Sequence, residues 1–200
     1  MILEGLVTTM NEKGMVNIAP MGPIVDESLT WFRFRPYKTS KTYQNLLQRP
    51  TGVFHVVDDV LLLARATIGQ LEVAPAVFAA NLIEGRVLAD ACRWYEFDAE
   101  VIDDSQARTD IDARVVYTGK IRDLFGFNRA KHAVVEAAIL ASRVHILPAE
   151  ELMRQLAALE GPVQKTAGPR ESVAFTLLSE YIRDELAGLS RKVAETETPV

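Results

Sequence analysis

The sequence holds a single cysteine, Cys92, so an intrachain disulfide is excluded, and with it the small secreted scaffolds built on such bridges. It also lacks a long apolar run. Its longest runs, such as residues 60–64, are too short to cross a bilayer. The Met1 end has no basic flank, and no apolar run follows it before the polar Thr8, so no signal peptide is expected there. A net positive charge is also lacking: the balance of -5 argues against broad nucleic-acid binding. Any anion site must then be a local concentration of cations. A glycine-rich phosphate loop, a Cys-x-x-Cys pair and a serine nucleophile elbow are all missing. A cytoplasmic location is expected.

What is present suits a folded chain. Hydrophobic residues make up 48% and charged residues 24% of 200, enough for one domain with a helical appendage. Residues 2–10, 15–21 and 29–34 read as strands. Asn11-Glu-Lys-Gly14 joins the first two as a hairpin loop, because glycine supplies a left-handed residue. Residues 38–48 switch to helical period, with Tyr43, Leu46 and Leu47 on one face, Thr39 or Ser40 as cap, and Pro50 as stop. A strand over 53–57, a short helix over 60–67 and strands over 94–102 and 113–121 follow. Residues 69–86 give no clear pattern.

From residue 128 the chain reads as helices over 128–143, 148–159 and 170–189. Ala130, Ala133, Val134, Ala137 and Ala141 stripe the first, and Gly161 follows the end of the second. Val173, Leu177, Leu178, Ile182, Leu186 and Leu189 line the third. Strands first and helices last predict an α+β fold on an antiparallel sheet or barrel, not a doubly wound one. The expected division is 1–125, 126–190 and a frayed tail over 191–200.

Three constellations could carry chemistry. Arg33, Arg35, Lys38, Thr39, Ser40, Lys41 and Thr42 gather four cations and three hydroxyls at the end of a strand and the start of a helix. Free N–H groups and a partial positive charge at a helix start stabilise an anion. The same cluster reads equally as a solvated turn with an ordinary cap. Asn17-Ile-Ala-Pro-Met-Gly22 is a strand that loses bulk and, at Pro20, a donor. A flat heterocycle could approach it, or it could be a plain edge strand. Asn128, His132 and Glu136 are spaced four apart with Arg129 beside them, a possible substrate or second site or a solvated face. His132 and Glu136 lack a third ligand, so no metal is expected. His55 reads as structural and Cys92 as inert. No catalytic acid or base stands out.

Taken in order, Val7-Thr-Thr9, Asn11-Glu-Lys-Gly14, Asn17-Ile-Ala-Pro-Met21, the 29–35 strand, Thr42-Tyr-Gln-Asn45-Leu46 and Thr51-Gly-Val-Phe54 resemble the FMN-binding split barrel of flavin reductase-like proteins. With Phe127-Asn-Arg-Ala-Lys131 and Val135-Glu-Ala137, the whole chain looks closest to an uncharacterised conserved family in that superfamily. The resemblance implies a six-stranded antiparallel split β-barrel with a helical C-terminal part, usually a homodimer with FMN at the subunit interface. It implies FMN phosphate near Arg33, Arg35, Lys38, Thr39, Lys41 and Thr42, and the flavin ring against Asn17, Ala19, Pro20 and Met21. A flavin-dependent oxidoreductase acting on a small molecule is the reading it favours. A flavin carrier or sensor, or a barrel for another anionic or pterin-type molecule, stands beside it. No nucleic-acid or membrane partner is expected.

Overall fold

The computed structural model describes residues 1–196. Its elements run β1 Gly5–Met10, β2 Val16–Met21, β3 Ile24–Val25, β4 Trp31–Phe34, α1 Lys41–Gln48, β5 Thr51–Val56, α2 Val60–Thr67, β6 Val77–Ala79, β7 Arg86–Leu88, β8 Arg93–Asp103 and β9 Asp110–Lys120. Three helices follow: α3 Arg129–Ala141, α4 Ala149–Thr166 and α5 Pro169–Thr196. The chain forms two compact units. One holds Met1–Asp58 and Glu72–Phe125; the other holds Asp59–Leu71 and the chain from Gly126 on.

The first unit is built on local turn chemistry. Gly14 sits at φ 75° in the loop between β1 and β2, and its N–H donates to the Asn11 carbonyl at 2.9 Å. The Asn11 side chain accepts from the Met15 N–H at 2.9 Å and closes the turn. The resulting antiparallel sheet has the order β2-β1-β5-β8-β9-β4-β3. It curls back on itself, because residues ahead of β1 also bond to β3. Leu3 N–H reaches the Pro23 carbonyl at 3.1 Å, Val25 N–H reaches the Met1 carbonyl at 2.8 Å, and Ile2 bridges Ile24. β2 and β3 flank a bend at Gly22 and Pro23: β2 stays on β1, while β3 turns to β4. This is a split β-barrel.

The six long strands lie where the sequence predicts strands, and the two-residue β3 is added to them. The unread 69–86 region supplies β6, paired with β7 as a separate ribbon. Alternation along β4 sends Phe32 and Phe34 inward and Arg33 outward. Phe32, Phe34, Phe54, Tyr95 and Phe97 fill the barrel, with Phe32 and Phe54 meeting edge to face at 5.4 Å.

A second cluster packs Val53, Val87 and Trp94 between β5, β7 and β8. The Trp94 indole lies flat over Gly119 of β9. A Cβ built on Gly119 would come within 2.0 Å of the ring. Gly119→Ala must therefore expel a buried indole. It is expected to destabilise the protein by about 3 kcal/mol, the cost typical of overpacking a filled site. Chemical denaturation of this variant, with the Trp94 fluorescence shift as probe, checks the value.

In the second unit, α2, α3, α4 and α5 bury Leu63, Ala64, Ala130, Val134, Ala137, Leu152, Leu156, Leu178 and Ile182. The short helix over 60–67 thus belongs with the C-terminal helices, not with the barrel. α4 continues past the expected stop at Gly161 and carries Pro162 inside it. Its apolar spacing continues through Leu152, Leu156 and Val163, and its last turn is tied to α3. Asn128 Nδ2 donates to the Thr166 carbonyl at 3.1 Å, and Ala130 N–H to Thr166 Oγ1 at 3.0 Å. These ties offset the missing proline donor.

On α5 the buried face runs through Ala174, Phe175, Leu178 and Ile182, and Val173 is exposed. The face is rotated by about one residue from the expected stripe, because Phe175 replaces Val173 as its large member. Residues 191–196 continue α5, and the rest of the expected tail, 197–200, lies outside the described residues. Among the described residues no helix is long and apolar enough to cross a membrane.

Candidate functional site

The basic turn leads into α1. Ser40 caps it, its Oγ accepting from the Tyr43 N–H at 3.2 Å. The Ser40 N–H donates to the Tyr37 carbonyl at 2.9 Å, and the Gln44 N–H to the Ser40 carbonyl at 3.1 Å. Among the described residues the N–H groups of Lys41 and Thr42 then have no protein acceptor. A helix start normally leaves such donors to a cap, water or a ligand. The Lys41 side chain is exposed beside them. Two N–H groups and an ammonium make a donor set suited to an anion.

The other cations of the cluster are differently engaged. Arg33 forms a bidentate pair with Asp112 of β9, with N–O distances of 2.6 and 2.8 Å, and lies over the Trp31 ring at 5.1 Å. Arg35 pairs with Asp110 at 3.1 Å. Both pairs follow from the register of β4 on β9, in which Arg33 faces Asp112. The Lys38 charge helps hold the Asp103 carboxyl below its ordinary range, after the larger effect of hydrogen bonds from Ser105. Thr39 is exposed, while Thr42 is 2% exposed and turned beneath the helix.

The second half of the site is β2. It is an edge strand, paired only with β1, and all its residues are half-buried. Ala19 and Met21 pack against the barrel core, and Asn17 shares their face. Pro20 stands opposite Leu6. The structure brings the two halves together: Asn17 Nδ2 donates to Thr42 Oγ1 at 3.2 Å. Deeper in, Asn45 Nδ2 donates to Thr9 Oγ1 at 3.0 Å. The tip of the β8–β9 hairpin walls the far side. Tyr43 Oη donates to Asp104 at 2.8 Å, Arg108 stacks on Tyr37, and the Thr109 N–H and Oγ1 both donate to the Pro36 carbonyl. The bond to Asp104, and then burial, push the Tyr43 hydroxyl above its ordinary range.

Asn128, Arg129 and His132 are in the other unit. Asn128 is the N-cap of α3, accepting from the Lys131 N–H at 3.0 Å. Phe127 meets the His132 ring edge-on at 5.9 Å, the spacing of a hydrophobic staple across a helix start. Asn128 and His132 thus have structural partners in the helix start, and Arg129 is its first residue. Among the described residues no three His, Cys, Asp or Glu side chains gather as metal ligands.

Two polar centres were not visible in the sequence. Glu96, fully buried, accepts from the Trp94 indole and from the N–H groups of Asn81, Leu82 and Ile83. Asp58 takes a bidentate contact from Arg122 and the Phe125 N–H beside the buried Cys92. Burial and the Asp58 charge raise the Cys92 thiol above its ordinary value, which keeps it protonated. No local pattern marks these centres, because the chain brings most of their members together from separate loops and strands.

A curled antiparallel barrel with an edge strand beside a capped helix, followed by helices, is a split β-barrel with a helical C-terminal part. Family models for "Protein of unknown function (DUF447) N-terminal domain" and "Protein of unknown function (DUF447)" match residues 3–122 and 128–180. The chain belongs to the DUF447 family. Its fold is similar to that of the FMN-bound protein MM1853 from Methanosarcina mazei, at TM-score 0.77 and 24% identity, covering 90% of this chain and 94% of that one. The 2-nitrobenzoate 2-nitroreductase NbaA of Pseudomonas fluorescens aligns at TM-score 0.51 and 22% identity, over 59% of this chain and 64% of that one. An FMN-binding protein from Thermus thermophilus aligns at TM-score 0.51 and 16% identity, over 59% and 70%.

Proposed function

We propose that this chain binds FMN through its barrel unit, with the phosphate on the first turn of α1 and the isoalloxazine ring along β2. The observation that carries the reading is the pair of N–H groups on Lys41 and Thr42 that, among the described residues, no protein atom accepts, next to an edge strand, in a fold shared with the FMN-bound Methanosarcina mazei protein. A phosphate monoester dianion fits this donor set. Lys38, Thr39, Ser40 and Lys41 supply the polar side chains that lead into it. Arg33 and Arg35 contribute less, since each is held by a carboxylate of β9. Thr42 acts through its backbone, its hydroxyl being enclosed.

The reaction follows the cofactor. FMN supplies hydride acceptance and release when bound, and the chain supplies binding and orientation. We read the protein as a flavin-dependent oxidoreductase of the flavin reductase-like type, acting on a small molecule as a cytoplasmic homodimer. The nitroreductase with the same barrel supports that class. Purified protein mixed with FMN and desalted is expected to keep the flavin absorption band and to oxidise NADH or NADPH. A colourless protein after desalting overturns the FMN reading. A yellow protein inert toward both donors favours a carrier. Lys41→Ala is expected to weaken FMN by about tenfold, the worth of one charge-assisted contact, and Arg35→Ala by less than about threefold.

A further inference from the structure

The bond between Asn17 and Thr42 joins the two halves of the site proposed above, and the present inference rests on that reading. Asn17 lies on β2, half-buried; Thr42 is the second residue of α1 and is 2% exposed. The amide donates and the hydroxyl oxygen accepts, at 3.2 Å. Asn45 and Thr9 repeat the arrangement one turn further into the protein. Two amide–hydroxyl pairs therefore stitch α1 to β1 and β2. Enclosed in this seam, the Thr42 side chain is not offered to solvent, whereas its backbone N–H has no protein acceptor among the described residues.

We infer that Asn17 is a positioning residue for the cofactor's phosphate, not a contact of the ring. Its amide pins Thr42, and through Thr42 it holds the first turn of α1 against β2, so that the two N–H groups are fixed before the ligand arrives. Fixing donors in advance removes the ordering cost from binding. Ala19 and Met21, which share its face, turn into the barrel core and carry no polar group, so the strand has no other side-chain tie to the helix start among the described residues.

FMN and riboflavin carry the same ring and differ by the phosphate, so they separate the two roles. Flavin fluorescence quenching with the full chain reads both affinities. Asn17→Ala is expected to raise the FMN dissociation constant about tenfold and to leave riboflavin within about twofold. Thr42→Val removes the acceptor at constant shape and is expected to do the same. The double variant is expected to be no worse than either single one, because one bond is broken once. Thr42→Ser keeps the hydroxyl and is expected to retain the affinity for FMN. Equal losses for both flavins would make Asn17 a ring contact and overturn the inference. So would losses that multiply in the double variant, or a Thr42→Ser protein as weak as Thr42→Val. If Asn17→Ala does not fold, the two Thr42 variants carry the same comparison, and if riboflavin binds too weakly to read, the double variant decides on FMN alone. A wild-type protein that takes up neither flavin overturns the FMN reading itself, before any variant is compared.

Discussion

Glu96→Ala is expected to lower stability by about 4 kcal/mol and the melting temperature by on the order of 10 °C. The Glu96 carboxylate is fully buried and all its partners are donors: the Asn81 and Leu82 N–H groups at 2.7 Å, the Ile83 N–H at 3.3 Å and the Trp94 indole at 3.1 Å. Removing it leaves the buried Trp94 indole N–H and three part-buried N–H groups without their acceptor, and an unpaired buried donor costs about 1–3 kcal/mol. Glu96→Gln preserves volume yet turns an amide NH₂ toward N–H groups, so it is expected to recover only part of the loss. Differential scanning calorimetry ranks the three proteins. Hydrogen exchange gives the local signature: faster exchange at Asn81, Leu82 and Ile83 than in the β5–β8 ladder. A Glu96→Gln protein as stable as the wild type would show that the carboxylate's second oxygen is not needed.

Glu96 also marks where sequence reading stops. The hairpin at Asn11–Gly14 was legible because its determinants are adjacent: a side-chain acceptor, a glycine at φ 75° and a strand on each side. The cap of α1 was legible for the same reason. Glu96, by contrast, sits at an ordinary strand position. Its meaning comes from a loop that three-dimensional closure brings to it, in a stretch where residues 69–86 carry no clear period. Gly161 failed as a stop signal because tertiary bonds from Asn128 and Ala130 hold the turns beyond it.

The candidate site shows the same division. Four cations within ten residues suggest a strongly positive turn. The register of β4 on β9 puts Asp112 and Asp110 against Arg33 and Arg35, a pairing 79 and 75 residues apart that only the sheet creates. The positive charge left to an anion is accordingly that of the lysines, and the backbone donors of α1 gain weight. The Asn17–Thr42 bond was equally out of reach, since the two residues belonged to separate constellations in the sequence. The family resemblance implies one site for both; the hydrogen bond joins them in space.

Stability is expected to fall by about 2 kcal/mol between pH 7.5 and pH 5 because of His55, and by about 3 kcal/mol once both states are protonated. His55 is fully buried in β5. Its Nε2 accepts from the Leu88 N–H at 3.0 Å, so the proton of the neutral ring sits on Nδ1 and is donated to the Leu6 carbonyl at 3.1 Å. Burial pushes its pKa down to about 4, against 6.5 for a free histidine, and the Leu6 carbonyl offsets only part of that. The folded pKa is depressed, so between the two values the unfolded chain binds the proton that the folded chain refuses. The stabilisation is complete above pH 6.5 and drains away as pH falls through about 4. The reason is structural: a protonated Nε2 would face the Leu88 N–H, donor against donor, and the link from β5 to β7 would break. Carboxyls held below their ordinary range, such as Glu171 through Lys131, begin to matter only at lower pH, which leaves the window from pH 6.5 to 5 to the histidine. Denaturant titrations across that window are expected to show the slope in the wild type and to lose most of it in His55→Gln, whose amide can accept from Leu88 and does not titrate. An unchanged slope in that variant would assign the acid sensitivity elsewhere, and a flat wild-type profile would mean that the ring is hydrated in solution.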